Sequence, residues 1–107
     1  MFKIDNKGTA VPSSQKYKTN IQEVNDDTVS LLHQLKSVEF DYKNNGKHAY
    51  GLIAEEVEQQ IPTIVLHHPQ TNEIESVDYV QLIPLLIKAI QNQQKQLDKY
   101  EEILSKL

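Results

Sequence analysis

Asp78-Tyr79-Val80-Gln81-Leu82-Ile83-Pro84-Leu85-Leu86-Ile87-Lys88-Ala89-Ile90-Gln91-Asn92-Gln93-Gln94-Lys95-Gln96-Leu97-Asp98-Lys99-Tyr100-Glu101-Glu102-Ile103-Leu104-Ser105-Lys106-Leu107 closes the chain with no glycine and one proline. Within it Ile83, Leu86, Ile90, Gln93, Leu97, Tyr100, Leu104 and Leu107 recur at intervals of 3, 4, 3, 4, 3, 4 and 3. That unbroken a/d register predicts one long helix with a narrow apolar seam. Gln91 to Gln96 is polar on every side and has nothing to bury in its own domain, so the helix there reads as a coil projecting from the body. An amphipathic helix packed only on its own domain would carry a wider stripe. Gln93 supplies a polar layer that fixes register and strand number, although the seam alone does not choose between two strands and three. Asp78 is placed as the N-cap. Pro84, past the first turn, is expected to kink the helix or split off that turn.

Upstream the pattern is one of short elements. Asn25, Asp26, Asp27 and Thr28 are N-cap residues before Val29, Leu31, Leu32 and Leu35, which predicts a helix of about ten residues. Val38-Glu39-Phe40-Asp41-Tyr42 alternates with period two, Asn44-Asn45-Gly46 is a hairpin turn signal, and Tyr50-Gly51-Leu52-Ile53 completes the pair. Ala54 to Gln60 reads as a short helix ended by Pro62, with Ile53 and Val57 on one face. Thr63 to Leu66 and Ile74 to Val77 form a second hairpin around the Pro69–Asn72 turn. The fold class is therefore α+β: a small domain of short helices and β-hairpins with a long C-terminal helix.

A chain of 107 residues supports one domain at most. Five tyrosines and two phenylalanines leave few large side chains for a core, so part of the burial is expected from association. A net charge of −4 with scattered lysines argues against a nucleic-acid or anionic-membrane partner. The absence of cysteine removes disulfides, thiolate metal sites and a cysteine nucleophile. No apolar run approaches the roughly 18 residues of a membrane span, and no signal segment opens the chain, so it reads as soluble and cytoplasmic when made.

Two constellations bear on chemistry. Ser13 and Lys18, five residues apart in a polar segment, meet if the chain bends between them, and a lysine whose charge is desolvated can activate a serine hydroxyl. His48, His67 and His68 lack a third ligand at useful spacing and read as surface residues, so no metal and no cofactor are expected. Glu55, Glu56 and Glu58 read as a solvated helix face.

The order of motifs is more specific than any one of them. Ser13-x-x-Lys16-x-Lys18-x-x-Ile21 is followed by Val38-Glu39-Phe40-x-Tyr42 and then by Gly51-Leu52-Ile53-Ala54-Glu55-Glu56-Val57. Pro62 comes next, then Val77-Asp78-Tyr79 leading into Leu82-Ile83-Pro84-Leu85-Leu86-Ile87-Lys88-Ala89-Ile90. This set, spanning residues 13–107, resembles the intramolecular chaperone, or chaperone-of-endosialidase, domain. Such domains stand at the C-termini of phage tail spikes and fibres and of a group of eukaryotic membrane-bound transcription factors.

The resemblance implies a homotrimer whose C-terminal helix, residues 78–107, forms a trimeric coiled coil. It implies that this module, residues 13–107, assists folding of the fibre or β-helical domain preceding it in the same chain and then releases itself. Residues 1–12 would be the end of that upstream segment or the start of a shortened chain. Ser13 matches the cleavage-site serine and Lys18 the general base. Ser14 stands where the family often has an acidic or amide residue and is an alternative nucleophile, while His48, just before the glycine motif, is an auxiliary candidate. A serine attacking its own carbonyl would close a strained four-membered ring. Attack on the Pro12 carbonyl passes through a five-membered one and favours scission at Pro12-Ser13, with the bond on the other side left open. Assembly would take place in the cytoplasm, with the mature upstream protein on a virion or cell surface. The competing readings are a trimerisation cap that does not cleave and an adaptor whose coil binds a partner helix. A trans-acting hydrolase is disfavoured, for the chain has no Gly-rich oxyanion loop and no third catalytic partner.

Overall fold

Asn25 opens the first α-helix, as its residue type and place suggest: its Oδ1 accepts the backbone N–H of Asp27 at 2.7 Å. In the computed structural model, which describes residues 10–107, that helix is shorter than expected. α1 covers Asp26–Ser30 and gives way to a 3₁₀ turn at Leu31–Gln34, so Leu31, Leu32 and Leu35 reach the core from a tighter spiral. β1 (Val38–Asp41) and β2 (His48–Gly51) pair antiparallel, with Asp41 opposite His48 and Glu39 opposite Tyr50. The second strand thus begins two residues earlier than its apolar residues indicate. Gly46, at φ +70°, closes the intervening loop in the left-handed region that favours glycine.

α2 (Ala54–Gln60) stops before Pro62, which opens a 3₁₀ turn at Pro62–Ile64 rather than a strand. β3 is accordingly Val65–His67, and it pairs antiparallel with β4 (Ile74–Val77) across a bulge at Leu66 and His67. The two hairpins belong to separate two-stranded sheets. Ile53 is exposed at the N-cap position of α2, whereas Val57 is the most deeply buried side chain of the core at 1% exposure. With Ile61, Ile64, Val65, Leu82 and Leu85 it forms one cluster, all aliphatic, flanked by Val24, Leu52, Ile74 and Val77.

α3 (Tyr79–Ser105) follows at once. Of the expectations for its start, the N-cap falls where it was placed and the split at Pro84 is corrected. Asp78 occupies the N-cap position, but its side chain makes no capping bond to the backbone: Oδ2 accepts the side-chain amide of Gln81 at 2.8 Å, and the Asp78 N–H is used on the Ile64 carbonyl at 2.7 Å. Pro84 splits nothing off, and the helix is continuous through it. At 27 residues it is about 40 Å long. The radius of gyration is 17.9 Å, against about 13 Å for a compact chain of this length.

The helix presents two faces. Leu82 and Leu85 are buried and Ala89 and Asn92 partly so, and this stripe docks on the body. The heptad stripe, one residue further on and so turned by about 100°, is exposed at Ile83, Leu86, Ile90, Gln93, Leu97, Tyr100, Leu104 and Leu107. Every residue from Gln93 to Leu107 is exposed.

Candidate functional site

Ser14 decides the shape of the segment that carries Ser13 and Lys18. It sits in extended conformation as the N-cap of a 3₁₀ turn at Gln15–Tyr17; its Oγ accepts the Lys16 N–H at 3.4 Å and its carbonyl accepts the Tyr17 N–H at 3.0 Å. The turn folds the chain back so that the Lys18 ammonium donates to Ser13 Oγ at 2.9 Å. The two serines are therefore distinguished: Ser13 is paired with the lysine, and Ser14 Oγ is held by the turn. Both serines and Lys18 are exposed. In this bond the ammonium is the donor. Activating the hydroxyl requires the reverse, a neutral amine accepting the Oγ proton, and burial of the lysine is what favours that form.

The segment leads directly to the body. Asn20 adopts a left-handed φ of 52°, Val24 packs on the core, Glu23 Oε2 lies 3.5 Å from Lys88 Nζ, and Asn92 donates to Asp26 Oδ1 at 3.0 Å. The chain after the Ser13–Lys18 pair is thus tied along α3.

His48 is engaged elsewhere. Across the β1–β2 hairpin its Nδ1 lies 2.7 Å from Asp41 Oδ1 and its Nε2 2.8 Å from Glu39 Oε1. Strand alternation puts these carboxylates on one face opposite the ring, a partnership that period two makes legible. Asp41 first and Glu39 second raise the imidazole pKa above its ordinary 6.5 by accepting from the charged ring. With both nitrogens taken, His48 makes no hydrogen bond to Ser13 or Lys18.

His67, His68 and Glu58 have structural roles, and of these Glu58 departs from its reading as part of a solvated face. His67 is half-buried with Nε2 3.5 Å from Glu58 Oε1, and Glu58 leaves its other oxygen buried, so it is not part of the solvated face of Glu55 and Glu56. His68 Nδ1 accepts the N–H groups of Gln70 and Thr71 at 3.1 and 3.2 Å and shapes the β3–β4 turn. Among the described residues no group of three or more metal-ligating side chains converges on a point.

Gly51 is a position whose need the sequence did not explain. A Cβ there would lie 2.7 Å from the Tyr79 hydroxyl, which accepts the Leu52 N–H at 2.8 Å. The glycine admits the first residue of α3 against β2, and Tyr79 was missed because nothing in its own neighbourhood announces a contact 27 residues back.

This frame of turn, hairpin, glycine and short helix matches a known pattern. The family model described as chaperone of endosialidase covers residues 13–66, half of the chain, opening on Ser13 and taking in Lys18, His48 and Gly51. The chain belongs to the chaperone-of-endosialidase family. Membership supports a chaperone role and action on an upstream domain, and the family's title as a peptidase points to self-cleavage. In this chaperone-of-endosialidase chain α3 lies outside the matched residues. No curated protein matches the chain. Among the described residues no helix is long and apolar enough to cross a membrane.

Proposed function

We propose that this chain is a homotrimeric intramolecular chaperone for a fibre or β-helical domain preceding it, and that it frees itself by one cut at Pro12-Ser13. The observation that carries the reading is the 2.9 Å approach of Lys18 Nζ to Ser13 Oγ at the first residue of the family match. In the reaction neutral Lys18 takes the Oγ proton as Oγ attacks the Pro12 carbonyl carbon through a five-membered ring. The C–N bond breaks, the Ser13 nitrogen gains a proton, and an ester joins Pro12 to Ser13 Oγ. Water then hydrolyses that ester, leaving a Pro12 carboxylate and a chain that begins with Ser13. Assembly supplies what the single chain lacks: a neighbouring surface over Lys18 that excludes water and favours the neutral amine. Cleavage would then report completed folding. Ser14, held as the cap, takes no part, and His48 acts on the hairpin rather than on the hydroxyl.

The exposed heptad supports association through α3, because a 27-residue helix with an apolar seam open to water is not expected of a monomer. Intact and native mass spectrometry on one sample tests both claims. Three associated chains beginning at Ser13 are expected, and Lys18→Ala should slow release by at least about a hundredfold while leaving the assembly intact. A Lys18→Ala chain that is cut at the parental rate, or products beginning at Ser14, would overturn the assignment.

A further inference from the structure

Between the β1–β2 hairpin and the first three turns of α3 lies an open groove of about 580 Å³, walled by Leu35, Val38, Tyr50, Tyr79, Leu82 and Leu86. Tyr50 at its rim is 78% exposed. Single exposed apolar residues need no explanation, but a concave apolar surface beside an exposed heptad does. Leu86 belongs to both, so groove and seam are continuous.

The heptad register names what meets this groove. With Ile83 at a and Leu86 at d, Leu82 is a g residue and Ile87 an e residue. In a parallel coil each g side chain faces the e side chain five residues further along the neighbouring helix. Leu82, docked on its own body with its remaining surface in the groove wall, is the position that the register sets opposite the neighbour's Ile87, which is 50% exposed in the single chain and lies outside the a/d seam. The next pairs along the coil are Ala89 with Gln94 and Gln96 with Glu101. Only the first pair is large and apolar on both sides; the smaller groove that flanks the helix at Ala89 and Gln96 is lined mostly by polar side chains, among them Asp26, His33 and Asn92.

We propose that the groove is a socket for Ile87 of a neighbouring copy of this chain. Each copy offers one socket and one Ile87, so the contact is heterologous and closes around a cyclic assembly. It fastens the β1–β2 hairpin of one copy to α3 of the next, which makes the hairpin part of the interface rather than an appendage. The inference rests on the parallel coil of the proposed function.

Dilution series followed by sedimentation and native mass test it on the full chain. Ile87→Ser should raise the concentration of half-dissociation by at least about tenfold, because it removes an apolar side chain from each interface. Ile87→Leu should restore assembly, and Leu66→Ser, an equally exposed apolar site on β3, should leave it unchanged. Circular dichroism checks that each variant keeps its helix. The chain has no tryptophan, so in the Tyr50→Trp variant a single indole reports on the socket: its emission should shift to the blue as copies associate, and Ile87→Ser should cancel the shift. Unchanged dissociation by Ile87→Ser, or an indole that stays water-exposed throughout assembly, overturns the socket while leaving the coil standing. A parental chain that is monomeric at every concentration overturns the coil itself.

Discussion

The two hairpins of this molecule are of similar length and have opposite means of support. β3–β4 is held by exclusion of water: Val65 is buried, and Ile74 and Val77 pack on the cluster around Val57. β1–β2 puts Val38 and Phe40 only half out of water, and its other face carries Glu39, Asp41, His48 and Tyr50 in the open. What fixes it is directional, the two carboxylates on His48 and the Tyr79 hydroxyl on the Leu52 N–H. Burial tolerates changes of pH and salt, whereas exposed charge pairs respond to both. The hairpin beside the groove is thus the adjustable one, and the hairpin under α2 is its foundation.

Truncating the core next to β3 gives the largest effect. Ile64 is 3% exposed in the turn that leads into β3, and Ile64→Ala is expected to cost about 2–5 kcal/mol, a large share of the roughly 5–15 kcal/mol that holds a domain together. Val38→Ala on β1, half-exposed, should cost under about 1.5 kcal/mol. Urea unfolding of the two variants measures the difference, and equal losses would break the contrast between the hairpins.

Gly51 tests the directional side. Gly51→Ala places a methyl where the Tyr79 hydroxyl sits, so the hydroxyl must leave the Leu52 N–H, at a cost of about 1–3 kcal/mol. Tyr79→Phe gives up the same bond and opens the space. In the Tyr79→Phe background Gly51→Ala should therefore cost clearly less than alone, and a double-mutant cycle by thermal denaturation reads the coupling. Strict additivity would mean that the glycine serves something other than the tyrosine.

Both hairpins, the long helix and its heptad stripe were legible because period two and the helical period leave marks that survive without tertiary knowledge, whereas the second stripe, which docks Leu82 and Leu85 on the body, was not read. Boundaries were less so. Pro62 was read as a stop and then a strand, yet its fixed φ suits the 3₁₀ turn that pushes β3 two residues on. Pro84 was expected to kink α3 or split off its first turn; no turn is split off, and docking of Leu82 and Leu85 on either side of it holds the helix through the missing hydrogen bond. At the candidate site spacing suggested that Ser13 and Lys18 meet, since one tight turn spans five residues. It could not show that Ser14 would be the residue that caps that turn, nor that Tyr79 would fill the space above Gly51, because those contacts depend on where the backbone comes to rest.

The smallest effect is the one that sharpens the comparison most. The folded-state pKa of His48 is raised, so its contribution is fully present below the unfolded value near 6.5 and is lost as pH climbs through the higher folded value. Asp41, the larger cause, should matter more than Glu39: Asp41→Asn is expected to move the ring titration down further than Glu39→Gln, as followed by NMR of the His48 ring protons. Amide exchange in β1 and β2 should quicken across the same interval, while exchange in β3 and β4, held by burial, stays flat. In His48→Gln the β1–β2 dependence should vanish. If both hairpins loosen together as pH rises, the clamp is spread through the whole body, and the division between a charged hairpin and a buried one does not hold.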